Sequence, residues 1–134
     1  MQTRESHTVT TEFAPAAIGP YSQAIVAGDF VFVSGQLPID PLTGEFINGD
    51  IDNRARQVIK NIQAILDKAG GSLQNVVKST IYLTDLTCYA TVNEIYAGFF
   101  QTNLPARAVV AVAGLPKNAD IEMDVIAYIP KTKE

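Results

Sequence analysis

An α+β fold is predicted by the way two periodicities alternate along this chain. Residues 76–84 and 121–129 read as strands, while apolar positions recur at offsets of three and four through residues 51–69 and again near 89–101. Most other apolar residues fall in short runs bounded by turn formers. Strand-rich stretches each followed by a helix, then a closing pair of strands, imply a sandwich with two helices packed on one face of a sheet.

The elements follow in order. Ser22–Ala27 and Phe30–Ser34 are separated by Gly28-Asp29, which reads as a hairpin. The segment LPIDPLTGEFINGD is rich in Pro, Gly, Asp and Asn and reads as a loop. Ile51, Ala55, Val58, Ile59, Ile62, Ile65, Leu66 and Ala69 then line one helical face. Asp50 is placed to cap its start, and Gly70-Gly71 supplies positive φ at its end. Val76–Thr84 is a strand. A second helix near Tyr89–Gln101 carries Tyr89, Val92, Ile95, Tyr96 and Phe99 on one side. Ala106–Ala113 and Ile121–Ile129 are the closing strands.

Those last strands are largely apolar on both faces. Ile121, Met123, Val125, Ala127 and Ile129 alternate with Glu122, Asp124, Ile126 and Tyr128. Two helices cover one face only, so the other face predicts a homo-oligomer.

Composition excludes more than it assigns. The 134 residues are 47% hydrophobic and 18% charged, which fits one domain over residues 1–134, with about residues 1–8 as a flexible tail. Ten basic and 14 acidic side chains give a net charge of -4, against a nucleic-acid or anionic-membrane surface. No apolar run approaches a membrane span, and a single cysteine, Cys88, suits the cytoplasm. With His7 the only histidine, zinc sites and Ser-His-Asp chemistry lack their parts. Phosphate-cradling glycine motifs are absent. Carboxylates, arginine, hydroxyls and backbone groups remain.

Arg107 and Glu122 are the charges a solvated surface explains least. Each begins an otherwise apolar strand, and together they flank GLPKNAD, so pairing of those strands would bring them to one end of the sheet. Arg107 can fork onto a carboxylate and Glu122 can act as a base or orient water. A structural ion pair is the competing reading. Tyr21 in IGPYSQ, Ser34-Gly35 in VSGQLP and Asn93 in the second helix each have a ligand-facing reading beside a packing one.

The segments IGPYSQA, VSGQLP, the TVNEIY helix, and PARAVVAVAGLP followed by IEM together resemble the reactive intermediate deaminase (Rid/YjgF) family, from about Phe13 to Tyr128. That resemblance implies a chorismate-mutase-like α+β sandwich with a mixed sheet, assembled as a homotrimer with ligand clefts between subunits. It implies hydrolysis of reactive 2-enamine and 2-imine acids, such as 2-aminoacrylate, to 2-keto acids and ammonia without metal or organic cofactor. This is the 2-iminobutanoate/2-iminopropanoate deaminase type of reaction. By the same resemblance Arg107 anchors the substrate carboxylate and Glu122 positions or activates water. Tyr21, Asn93, Ser34 and Gly35 match cleft residues. Val109 stands where many relatives carry a cysteine, so no thiol is available there, though its N–H could still contact substrate.

Two other functions use parts of this pattern. A non-catalytic trimer sensing 2-keto acids would need Arg107 but not Glu122. A ribonuclease would need the basic surface that this composition lacks.

Overall fold

The computed structural model describes residues 6–131. Six strands form one mixed sheet: β1 Ser6–Val9, β2 Ala24–Ala27, β3 Phe30–Gln36, β4 Val76–Leu83, β5 Ala106–Ala111 and β6 Ile121–Tyr128. Two helices, α1 Ile51–Lys68 and α2 Tyr89–Phe99, pack together, and α1 lies on β3 and β6. The order across the sheet is β1-β2-β3-β6-β4-β5, with β4 and β5 parallel and every other pair antiparallel.

Helix α1 forms where its apolar stripe predicts. Ile62, Ile65 and Leu66 are wholly buried, facing Val31 and Val33 of β3 and Val125 and Ala127 of β6 in one core. Asp50 sits at the N-cap position with extended backbone, but its side chain makes no capping bond; its carbonyl accepts from Arg54 N–H. Gly70 adopts φ +95 as the helix ends, and Gly71 N–H closes back on the Leu66 carbonyl.

Three expectations are corrected. Residues 6–8 are not tail: Ser6–Val9 pairs antiparallel with β2, with His7 opposite Val26 and Val9 buried. Residues 1–5 lie outside the described residues. The closing strands do not pair with each other, because β4 lies between β5 and β6. Arg107 and Glu122 therefore do not share one end of the sheet.

The face away from the helices is uncovered. Phe30 and Phe32 of β3 stand beside Tyr128 and Ile126 of β6, and Val110 continues the apolar surface on β5. Phe30, Phe32 and Tyr128 are each more than 40% exposed, an unusual state for aromatic residues in register on neighbouring strands. No helix among the described residues is long and apolar enough to cross a membrane.

Candidate functional site

The predicted site residues fall into two groups on opposite faces of the sheet. Arg107 pairs in register with Ser79, which points into the core and shares a 2.7 Å hydrogen bond with the Tyr96 hydroxyl. Arg107 is thus on the helix side. Glu122 pairs with Tyr82 and belongs to the alternate, uncovered set of β6. Ser79 and Tyr82 are three residues apart, so the two charges differ by roughly 10 Å along the strands and two strand spacings across.

On the helix side, α2 builds a cradle for one cation. Tyr89, Asn93 and Tyr96 recur at the offsets that stack side chains on one helical face. Arg107 Nη1 donates to Asn93 Oδ1 at 2.8 Å, and Nη2 donates to the Tyr89 hydroxyl at 3.0 Å. The guanidinium carbon lies 4.8 Å from the Tyr96 ring centroid, and Tyr96 stacks in turn on Phe100. Every one of these partners is neutral. No carboxylate pairs with Arg107 among the described residues, so its charge is oriented but not neutralised. Val109, two residues further along β5 on the same face, is half-buried against the core.

On the other side is a cavity of about 610 Å³ lined by Tyr21, Ser34, Gly35, Gln36, Lys117 and Glu122, with walls from Pro15–Ile18 and from Leu37–Gly44. Glu122 lies directly over Gly35. A Cβ built on that glycine would fall 2.0 Å from Glu122 Oε2 and 2.7 Å from its Cδ. No hydrogen bond or ion pair holds the Glu122 carboxylate among the described residues. Its pKa is raised, first by burial and then by the charge of Asp124, two residues along the same face. Asp124 accepts a 2.9 Å hydrogen bond from the Tyr82 hydroxyl.

Other predicted residues are placed less simply. Tyr21 lines the cavity, and its oxygen accepts from Ile18 N–H at 3.3 Å. Ser34 also lines it, but its hydroxyl donates to the Ser22 carbonyl at 2.6 Å, so the ligand would meet its lone pairs and not its proton. Arg107, Asn93 and Val109 are not among the cavity's lining residues. The single chain does not bring the two groups together.

Sequence reasoning missed the groups that fix the walls. Gln23, buried, accepts from Thr11 N–H and donates towards the carbonyls of Thr11, Ala14 and Pro15, clamping the segment that forms one side of the cavity. Asn61 of α1, also buried, donates to the carbonyls of Leu37 and Ile39 on the other side. A polar residue inside an apolar helical stripe was the available signal for Asn61. Among the described residues no group of His, Cys, Asp and Glu converges as a metal site would require.

The sheet order and helix placement define this as a Rid-type α+β protein. RidA from the Antarctic bacterium Psychrobacter sp. superposes with a TM-score of 0.88 at 47% identity, over 92% of this chain and 99% of that one. The family described as Endoribonuclease L-PSP matches residues 11–129, and the chain belongs to it, the Rid/YjgF family. A RutC family protein of Pyrococcus abyssi is 55% identical over 120 residues, 90% of this chain and 94% of its own. The 2-iminobutanoate/2-iminopropanoate deaminase of Rattus norvegicus is 48% identical over 119 residues, 89% of this chain and 87% of its own.

Proposed function

We propose that this chain is a hydrolase that deaminates 2-enamine and 2-imine acids to 2-keto acids and ammonia. The observation that carries the reading is Arg107, a guanidinium oriented by two neutral hydrogen-bond partners and left without a counter-charge. A substrate carboxylate supplies that charge through two parallel N–H bonds. The deaminases named among the relatives, at 44–49% identity, support the same reaction class.

The chemistry asks little of the protein. An enamine takes up a proton at carbon to give the iminium ion, the N-protonated imine, whose carbon is electrophilic. Glu122 accepts a proton from water as the water oxygen bonds to that carbon, giving a carbinolamine. The protonated Glu122 returns the proton to nitrogen, then takes the hydroxyl proton as the C–N bond breaks and the carbonyl forms, and that proton leaves with ammonia as ammonium. A carboxylate with a raised pKa and no protein partner is suited to these transfers. Positioning supplies most of the acceleration.

Arg107 and Glu122 lie on opposite faces of one protomer, which supports a cleft formed between protomers. In this reading a homotrimer uses the uncovered sheet face, and Arg107 of one protomer meets Glu122 of the next. Tyr21, Ser34 and Gly35 belong to the Glu122 half; Asn93 and Val109 belong to the Arg107 half. The single cysteine fits the reducing cytoplasm. The family description as an endoribonuclease gives a second reading, which the net charge of -4 disfavours.

The test is an imine-hydrolysis assay in which an amino-acid oxidase generates the imine and semicarbazide traps what survives. Wild type is expected to suppress trapping, while Arg107→Ala and Glu122→Gln do not. If wild type leaves trapping unchanged yet binds 2-ketobutyrate, a non-catalytic sensor replaces the enzyme.

A further inference from the structure

Asn93 and Tyr89 hold Arg107 in chemically different ways. Asn93 Oδ1 only accepts. The Tyr89 oxygen accepts from Arg107 Nη2 at 3.0 Å and also carries a proton of its own, which no group among the described residues receives. A hydroxyl that accepts from a cation is polarised by it and becomes a stronger donor. Tyr89 opens helix α2 and is 41% exposed, so the hydroxyl stands at the accessible end of the cradle beside the guanidinium. Its neighbour Tyr96 cannot serve in the same way, since that ring is buried and its hydroxyl is shared with Ser79.

We propose that Tyr89 is a substrate-binding residue whose hydroxyl donates to the same carboxylate that Arg107 anchors. This rests on the reading of Arg107 as a carboxylate anchor and extends it. The guanidinium contributes charge and paired N–H donors, and Tyr89 adds an O–H donor from a second direction. The ligands concerned are small 2-imino, 2-keto and related acids. The same contact keeps Arg107 from swinging away when no ligand is present, because the Tyr89 oxygen accepts from the guanidinium whether or not its proton is engaged.

Tyr89→Phe removes one oxygen and leaves the ring under the guanidinium, with Asn93 and Tyr96 still in place. Binding of 2-ketobutyrate, measured by calorimetry, is expected to weaken by about tenfold or more, the low end of the loss for a hydrogen bond to a charged group. KM for imine substrates is expected to rise similarly, with a smaller fall in kcat. A crystal structure of wild type with 2-ketobutyrate is expected to place Tyr89 Oη within about 3 Å of a carboxylate oxygen. Equal binding by wild type and Tyr89→Phe overturns the assignment, as does a bound acid whose carboxylate lies out of reach of Oη. Should wild type bind no 2-keto acid at all, the Arg107 anchor falls and this role falls with it. Binding with no turnover would instead remove the deaminase reading alone.

Discussion

The Glu122 carboxylate occupies the space in which a side chain at residue 35 would begin. The contact is far inside van der Waals range for a built Cβ, and it involves Oε2 and Cδ, the mobile end of the glutamate. Gly35 follows Ser34 in β3, where the register with β6 shifts between Val33 and Gln36. The absence of a side chain at Gly35 therefore leaves room for the Glu122 carboxylate, and both residues line the cavity.

Gly35→Ala accordingly separates function from stability. The glutamate can rotate aside at little cost, so the melting temperature is expected to fall by no more than a few degrees, within about 1 kcal/mol. Imine hydrolysis is expected to fall on the order of a hundredfold, because the proposed base is displaced by an ångström or more. Thermal unfolding and the trapping assay on one preparation check both halves. A variant that kept full activity would remove Glu122 from the mechanism.

Burial and the neighbouring Asp124 together shift upward the pH range over which Glu122 is ionised. Burial raises the Glu122 pKa first, and Asp124 raises it further. Around the pair, Tyr82 faces Glu122 from β4 and binds Asp124, while Tyr21 and Lys117 line the same cavity. Asp124→Asn keeps an acceptor for the Tyr82 hydroxyl and removes one negative charge. The Glu122 pKa then drops, and since the proposed water activation needs the carboxylate, the acid limb of the kcat/KM profile is expected to move to lower pH. The sign is diagnostic: an unmoved limb would mean another group governs it.

Much of the fold is legible in the sequence because burial imposes period. Ile51, Ala55, Val58, Ile59, Ile62, Ile65 and Leu66 repeat at helical spacing, and α1 forms over Ile51–Lys68. Strand β1 was hidden because SHTV is short, polar and at the sheet edge, where one neighbour supplies all its pairing. Strand order was hidden for a different reason. Apolar alternation marks a strand as buried but does not choose its neighbours, so nothing in GLPKNAD revealed that β4 would enter between β5 and β6. That insertion, with the parity of each strand, sends Arg107 and Glu122 to opposite faces. The charges could be picked out; their separation required the topology. Tyr89, Asn93 and Tyr96 carried a readable spacing too, yet spacing alone does not distinguish a packed stripe from a cradle for arginine.

Asn61 fixes the cavity wall from behind. Its amide donates to the Leu37 and Ile39 carbonyls at 3.1 and 3.0 Å, and Gln57 donates to its Oδ1 at 2.9 Å. Asn61→Ala would leave the Ile39 carbonyl without a donor in a buried setting and the Leu37 carbonyl with only the Ile39 N–H, a loss of about 2 kcal/mol. The loop it releases, Leu37–Gly44, is expected to raise KM more than it lowers kcat, since Glu122 on β6 is not touched. Asn61→Asp, which sets a carboxylate against both carbonyls, is expected to be the less stable of the two. Urea unfolding midpoints and steady-state kinetics test the ordering, and a KM equal to wild type in Asn61→Ala would show that this wall does not shape the site.

Complementation tests whether catalysis needs two protomers. Arg107→Ala retains Glu122 and Glu122→Gln retains Arg107, so each homo-oligomer alone lacks one half of every cleft. If each site draws its arginine from one protomer and its glutamate from the next, random mixing in a closed ring gives about one quarter of sites both native groups. Co-refolded or co-expressed variants are therefore expected to recover about a quarter of wild-type activity, although neither parent has any. Phe32→Glu supplies the companion experiment: a charge on the exposed aromatic patch is expected to yield particles near the 14.4 kDa of a single chain by sedimentation, with hydrolysis lost and far-ultraviolet circular dichroism retained. No recovery on mixing, together with a fully active monomer, would place the whole site within one chain. That outcome would require the Arg107 cradle and the Glu122 cavity to be reached around the edge strand β5, not across a shared interface.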